Sequence, residues 1–161
     1  LKLKTIKIKN FRCFEKVDID LDHQMTLIVG KNGTGKTAIL DAIAVSISAF
    51  LFGLDIGGSR SILKDDARYE FHDLNCFVDP QHQFPVVIES VGDCMDRQDL
   101  AWTRSLNSAN GKTTIKDAVA ITEISKNVQQ MIMTGKRDLI LPLLSYYGTG
   151  RLYAQKRKRE I

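Results

Sequence analysis

Three cysteines are all this 161-residue chain has, and Cys13, Cys76 and Cys94 form no CxxC pair. Their wide spacing and odd number argue against a zinc site or a disulfide framework and suit a reducing compartment, although two of them could still meet in space. A secretory leader is equally missing, because the opening LKLKTIKIKN alternates charge with apolar groups where a leader needs a continuous apolar stretch. The longest apolar run, AILDAIAVSISAFLF, reads as too short for a bilayer and is interrupted by Asp41. There is no internal repeat and no low-complexity tract. Charge of one sign is in small excess, a net +4 with a pI near 9.0, which permits a nucleic-acid partner but equally describes an ordinary basic surface. These absences leave a soluble, intracellular protein with no membrane partner, in the cytoplasm. Its start at Leu1 in place of Met suggests a fragment or a renumbered chain.

What is present fits one domain of ordinary size, and 43% hydrophobic residues suffice for a core. LKTIKIKNF and KVDIDLD alternate with period two and read as strands, with Val17, Ile19 and Leu21 on one face and Asp18, Asp20 and Asp22 on the other. DHQ turns the chain, and MTLIV reads as a buried central strand ending at Gly30. From Thr37 to about Phe52 the pattern is a helix buried on most of its circumference and stopped by Gly53. Residues 55–70 read as a loop. NCFVDP, PVVIESVG and LAWTRSL are short β-like runs, and NSANGKT is a hairpin turn with positive φ at Asn110-Gly111. A second helix is expected from about Lys116 to Thr134, ended by Gly135. DLILPLLSYYGTG then reads as a buried strand entering a Gly-containing loop, and RLYAQKRKREI as the start of a basic helix.

Between the MTLIV run and the first helix stands GKNGTGKT. It satisfies G-x-x-x-x-G-K-[ST] through Gly30, Gly35, Lys36 and Thr37, with an apolar strand before it and an apolar helix after. The residue types follow from the chemistry of a phosphate cradle. Glycines allow a tight turn that points successive N–H groups into one concavity, and the helix N-terminus adds positive potential. The loop Gly30, Lys31, Asn32, Gly33, Thr34, Gly35, Lys36, Thr37 and Ala38 is therefore the expected nucleotide-binding segment. Lys36 is the catalytic candidate, placing its charge on the β- and γ-phosphates, and Thr37 offers a hydroxyl to Mg2+. The bland alternative is a glycine-rich turn with an incidental lysine. The loop alone fits ATP or GTP; GTPases normally read guanine with an Asn/Thr-Lys-x-Asp motif, which the chain lacks, and binding of AMP-PNP against GMP-PNP separates the two.

The inner residues Gly30-x-Asn32-Gly33-x-Gly35-Lys36-Thr37 resemble the ATP-binding cassette form of the loop. The preceding IKIKNFRCFEKVDIDL resembles the opening of the SMC, RecF and OLD-like group of ATPases. The resemblance implies an α/β P-loop NTPase: a mixed sheet around the Walker A loop and helix, with a small antiparallel subsheet. It implies ATP and Mg2+ as cofactors and places Arg12, in the Asn-Phe-Arg corner, near the phosphates. The residue-level alternative is a solvated turn arginine. LPLLSYYGTGRL, residues 141–152, resembles ATPases of anti-phage systems such as Septu and retron-associated cassettes. By position it corresponds to a Q-loop, but no Gln stands at the junction. Tyr147 to Arg151, or Gln155, would have to serve.

That group also needs an LSGGQ-type signature, an apolar strand ending in Asp-Glu, and a switch His. IGGSR at 56–60 lacks the preceding Ser, the apolar run in VVIES ends in the single acid Glu89, and NCFVDP has Asp79 before Pro80. His23, His72 and His82 fall in predicted turns and loops and read as solvated. Residues 1–161 are therefore expected to be an N-terminal ATPase lobe whose signature and Walker B motifs lie in a C-terminal lobe. Hydrolysis would need a homodimer or higher homo-oligomer joined through the ATP-binding lobes. The resemblance implies a setting in DNA maintenance or anti-phage defence, with a nuclease partner and DNA or another nucleic acid. The alternative is a regulatory module that senses ATP without turnover. The basic run at 156–159 is either a DNA contact or a solvated helix face.

Overall fold

In the computed structural model, residues 1–54, 59–74, 77–136 and 138–148 are described. Alternation builds the first hairpin. Strand β1 (Lys2–Phe11) pairs antiparallel with β2 (Phe14–Asp20), and its register sets Ile8 opposite Val17 and Ile6 opposite Ile19. The apolar face is thus continuous across both strands, as the period-two pattern requires. On its other edge β1 pairs with β5 (Val86–Cys94), which pairs with β6 (Arg97–Leu106), so the sheet runs β2-β1-β5-β6, antiparallel throughout. A separate hairpin joins β3 (Tyr69–Leu74) to β4 (Phe77–His82). The YEFHDL strand departs from the sequence expectation, which places no strand between the first helix and NCFVDP.

Helix α1 (Lys36–Leu51), extended by a 3-10 turn over Phe52–Leu54, lies on the apolar face of the sheet. Ala38, Ala42 and Val45 pack there against Ile6, Ile8, Phe11, Val86, Ile88 and Leu106, all essentially inaccessible. A second cluster joins Ala49, Phe50 and Leu54 to Trp102 and to Ile121 and Val128 of α2 (Val119–Met133), which follows a 3-10 turn at Lys116–Ala118. The Trp102 indole donates to the Ser46 carbonyl (3.1 Å) and hydroxyl (3.0 Å), which satisfies its buried N–H. Gly53 is required by close approach: a Cβ there would collide with Ser125 Oγ and with the α2 backbone at Thr122 and Lys126. With its 3-10 extension, Lys36–Leu54 is 19 residues and apolar enough by length and composition to cross a membrane, which corrects the expectation of a run too short to do so. Yet 56% of the segment is buried inside the fold, as in a core helix.

Three further expectations are corrected. MTLIV forms no strand: Met25, Leu27 and Val29 are each 77% exposed. Residues 138–148 likewise have no regular structure, and Ile140 and Leu143 are at least nine-tenths exposed. A strand needs a neighbour for its backbone N–H and C=O groups, and no strand lies beside either segment among the described residues. Residues 108–111 do turn, with Gly111 N–H donating to Ser108 O at 3.0 Å, but neither Asn110 nor Gly111 has positive φ and no strand follows among the described residues. The tight hairpin is instead at Cys94–Arg97, where Met95 has φ 53°. His82 is not solvated. It stands at the end of β4, 4.1 Å from the Tyr69 ring, with Nδ1 buried and without a hydrogen-bond partner among the described residues. His23 is exposed as expected.

Arg104 on β6 is fully buried, and none of its guanidinium nitrogens has a hydrogen-bond partner among the described residues. It stacks on Phe52 at 4.9 Å, and desolvation pushes its pKa down to about 10, so it stays charged at neutral pH. A buried cation lacking a carboxylate costs more than one ring face returns. Arg104→Met is therefore expected to stabilise the fold by about 1–2 kcal/mol, read as a higher midpoint in urea or thermal denaturation. A lower midpoint would contradict an unpaired Arg104.

Candidate functional site around the glycine-rich loop

The glycine-rich segment stands at the N-terminus of α1, with Gly35 as the residue before the first helical position. Gly33 and Gly35 have φ of 85° and 90°, a left-handed backbone that side chains disfavour. Gly35 has a second reason to be glycine. A Cβ there would lie 2.5 Å from both Cys13 Sγ and the Phe14 ring, so the turn between β1 and β2 seats directly on the loop. Only Ile39 N–H begins the helical ladder, donating to Gly35 O at 3.0 Å. The N–H groups of Asn32, Gly33, Gly35, Lys36, Thr37 and Ala38 have no backbone acceptor among the described residues. A helix N-terminus with unfilled N–H donors attracts anions.

Lys36 folds across this concavity. Its Nζ donates to Gly30 O at 2.7 Å and Lys31 O at 2.6 Å, and Thr34 Oγ1 donates to Lys31 O at 2.8 Å. Lys31, Asn32, Gly33 and Thr34 are exposed, Thr37 is half-buried, and Ala38 is buried against the sheet. One lysine charge and six free N–H donors around one turn suit a polyphosphate, so the residues present fit a nucleotide. Thr37 presents a hydroxyl with no protein partner among the described residues, the chemistry that a Mg2+ ligand requires.

Arg12 is clamped, not solvated. Its Nε donates to Asp66 Oδ1 at 2.9 Å and its Nη1 to Asp41 Oδ2, while its own backbone N–H donates to Asp66 O at 2.7 Å. Burial works against its charge, but the bonds to Asp66 and Asp41 outweigh that and raise its pKa further. The same Asp41, 5% exposed on α1, meets Arg60 Nη2 at 2.9 Å and accepts from the Tyr146 hydroxyl. Burial and the bond to Asp41 hold the Tyr146 phenol proton above its ordinary range. Sequence reasoning does not single out Asp41, Asp66, Arg60 or Tyr146 as site residues. The signal for the first is a lone carboxylate inside an apolar helix, a place where an acid must be paired.

Of the remaining candidates, Glu89 lies on β5 beside Ile88, whose side chain faces α1, so Glu89 points to the opposite face of the sheet, away from the loop. The Asp79 and His72 side chains, residues 56–58 of IGGSR, Cys76, residues 149–151, Gln155 and the basic run at 156–159 lie outside the described residues. Tyr147 is 73% exposed. A groove of about 590 Å3 runs along the other side of α1, lined by Leu40, Ile43, Ile47, Leu143 and Leu144 together with Arg60 and Tyr146.

A family profile described as AAA domain matches residues 5–161. The chain is 32% identical over 78 residues to the DNA replication and repair protein RecF of Clostridioides difficile, 48% of this chain and 19% of that protein. It is 29% identical over 114 residues to the structural maintenance of chromosomes protein 6 of Saccharomyces cerevisiae, 68% of this chain and 10% of that protein. The chain thus spans about a fifth or less of the length of these curated relatives. A solved structure titled for the ATP-driven dimerization and DNA stimulated activation of SMC ATPases superposes with a TM-score of 0.51 at 19% identity, covering 88% of this chain and 87% of that one. The likeness shows the fold, and the α/β P-loop class expected from the sequence holds. Among the described residues the main sheet is antiparallel and does not include the segment that enters the glycine-rich loop.

Gly33→Ala is expected to cost about 1 kcal/mol, from left-handed φ alone, since nothing lies within 4 Å of its Cβ direction. Gly35→Ala adds the collision with Cys13 and Phe14 and should cost at least about 2–3 kcal/mol. Paired thermal melts of the two variants check the order; equal costs would mean that the turn does not bear on the loop.

Proposed function

For this chain, which belongs to the AAA domain family, we propose the role of ATP-binding lobe in an SMC/RecF-like ATPase. The observation that carries this reading is the left-handed glycine loop at the N-terminus of α1, with its free N–H donors and Lys36 folded over them. In the proposal residues 30–38 cradle the phosphates. Lys36 leaves the carbonyls of Gly30 and Lys31 for the β- and γ-phosphates, Thr37 ligates Mg2+, and Arg12 adds a second cation at the phosphate end. Bound Mg2+ would shield phosphate charge and help orient the γ-phosphoryl group.

Residues 1–161 are proposed as one N-terminal lobe. Among its described residues no carboxylate stands at the loop to hold Mg2+ from a second side: Asp41 is occupied by Arg12, Arg60 and Tyr146, and Glu89 faces away. We therefore place the signature and Walker B chemistry in a C-terminal lobe, and closure of the site in a homodimer or higher homo-oligomer of the ATP-binding lobes. The names of the relatives support DNA maintenance as the setting, with DNA as a partner and the cytoplasm as the place. A role in anti-phage defence with a nuclease partner rests on the look of residues 141–152 alone.

Lys36→Ala is expected to weaken Mg-ATP binding roughly ten- to a hundredfold, the worth of one or two charge-assisted hydrogen bonds. Titration with labelled ATP measures it, and unchanged affinity in a folded variant would remove the cradle. Arg12→Ala should weaken ATP more than AMP, because its role is to meet phosphate and not adenine; equal losses would leave Arg12 a pin of the turn. Phosphate release by residues 1–161 alone should fall several orders of magnitude below that of the full-length protein, since phosphoryl transfer depends on positioning and charge stabilisation that half a site does not complete. Equal turnover would locate the acid and the base within these residues, or identify a module with another mechanism.

A further inference from the structure

The helix that follows the glycine loop carries a carboxylate that its apolar surroundings do not require. Asp41 stands one turn beyond Thr37, and three parts of the chain converge on it. Arg12 from the β1–β2 corner takes Oδ2; Arg60 from the loop before β3 and Tyr146 from the 138–148 segment share Oδ1. Asp66 completes the cluster by holding Arg12 Nε at 2.9 Å and accepting from Leu63 N–H at 3.0 Å. The Arg60 guanidinium lies 4.8 Å from the Tyr146 ring, so Tyr146 is held by its hydroxyl and by its face. Two carboxylates balance two guanidinium groups, and Arg12 keeps a third of its side chain exposed, one residue before Cys13, which lies against Gly35 of the loop. In this cluster a single buried carboxylate fixes the orientation of the one arginine proposed to meet phosphate and attaches it to a residue 105 positions beyond Asp41 in sequence.

We propose that Asp41 is a positioning residue for nucleotide binding: it sets the Arg12 guanidinium beside the phosphate loop, and Tyr146 makes that setting depend on the 138–148 segment. The inference rests on reading residues 30–38 as a nucleotide cradle. Removing the Asp41 charge frees Arg12 to swing toward Asp66 alone and leaves Arg60 without its partner. Removing only the Tyr146 hydroxyl keeps both ion pairs but loosens the carboxylate.

The test is a set of titrations on the full-length protein with labelled ATP and AMP in Mg2+, for Asp41→Asn, Tyr146→Phe, Arg12→Ala and the doubles with Arg12→Ala. Asp41→Asn should weaken ATP about tenfold and Tyr146→Phe about threefold, with AMP changed less than about twofold. In the Arg12→Ala background both further losses should vanish, because residues acting through one group are not additive. Losses that are equal for ATP and AMP, or that add in full to that of Arg12→Ala, would make Asp41 a structural pin and overturn the inference. If Asp41→Asn does not fold by thermal melt, Tyr146→Phe in the two backgrounds decides alone. Lys36→Ala separates the two readings. If it leaves ATP affinity unchanged, the cradle fails and this inference with it. If it weakens ATP while Asp41→Asn and Tyr146→Phe do not, only this inference fails.

Discussion

The seating of α1 on the sheet sets the position of the glycine loop, the Arg12 corner and Asp41 alike. Ala38, Ala42, Val45 and Ala49 bring the helix close to the sheet, and Ile6, Ile8, Phe11, Val86, Ile88 and Leu106 close over them. Burial of this apolar surface is the main favourable contribution in such a fold. Once the helix is fixed by that contact, its first turn meets the β1–β2 corner, where Gly35 has no room for a side chain against Cys13 and Phe14. One turn later the same helix delivers Asp41 to Arg12. A loop with free N–H donors and a corner with a clamped arginine are therefore brought together by the packing of α1 on the sheet.

Among the described residues, the buried charges Asp41 and Arg104 have opposite fates, and the contrast separates function from stability. Asp41 is surrounded by two guanidinium groups and a phenol, so its charge is compensated several times over. Among the described residues Arg104 meets only the Phe52 ring, and it loses part of its basicity to desolvation. A protein selected for stability alone would bury neither. The Asp41 cluster lies beside the glycine loop and links distant segments, whereas Arg104 lies in the core near the 3-10 turn at Phe52–Leu54 and its position is explained by nothing else among the described residues.

Much of this is legible in the residues. Period-two alternation locates β1 and β2 and their buried face, the apolar run locates α1, and helical spacing locates α2 with its end at Gly135. The glycine loop is legible because its chemistry demands residue types at fixed spacing. The failures share a physical cause. MTLIV and residues 138–144 have the composition of buried strands, but a strand is a pair, and neither has a neighbour among the described residues. Tyr69–Leu74 is hidden by the charged stretch before it, and it becomes a strand only through its register with β4. Asn110-Gly111 favours a tight hairpin locally, yet the chain there is held by Thr114 N–H donating to Ser105 O at 2.7 Å, a wider closure that no positive φ serves. The Asp41 cluster is unreadable because its members are separated by up to 105 residues from that carboxylate and meet only in three dimensions.

The central claim is that residues 30–38, with Arg12 set by Asp41, receive a nucleoside triphosphate. Amide hydrogen exchange with and without Mg-ATP tests it most directly, because the donors assigned to the phosphates are backbone N–H groups with no other backbone acceptor among the described residues. The account predicts that ATP slows exchange most strongly over residues 32–38, with AMP doing so far less, while the sheet at 86–106 is unchanged. Saturating ATP that leaves 32–38 exchanging at its free rate and protects some other segment would contradict it.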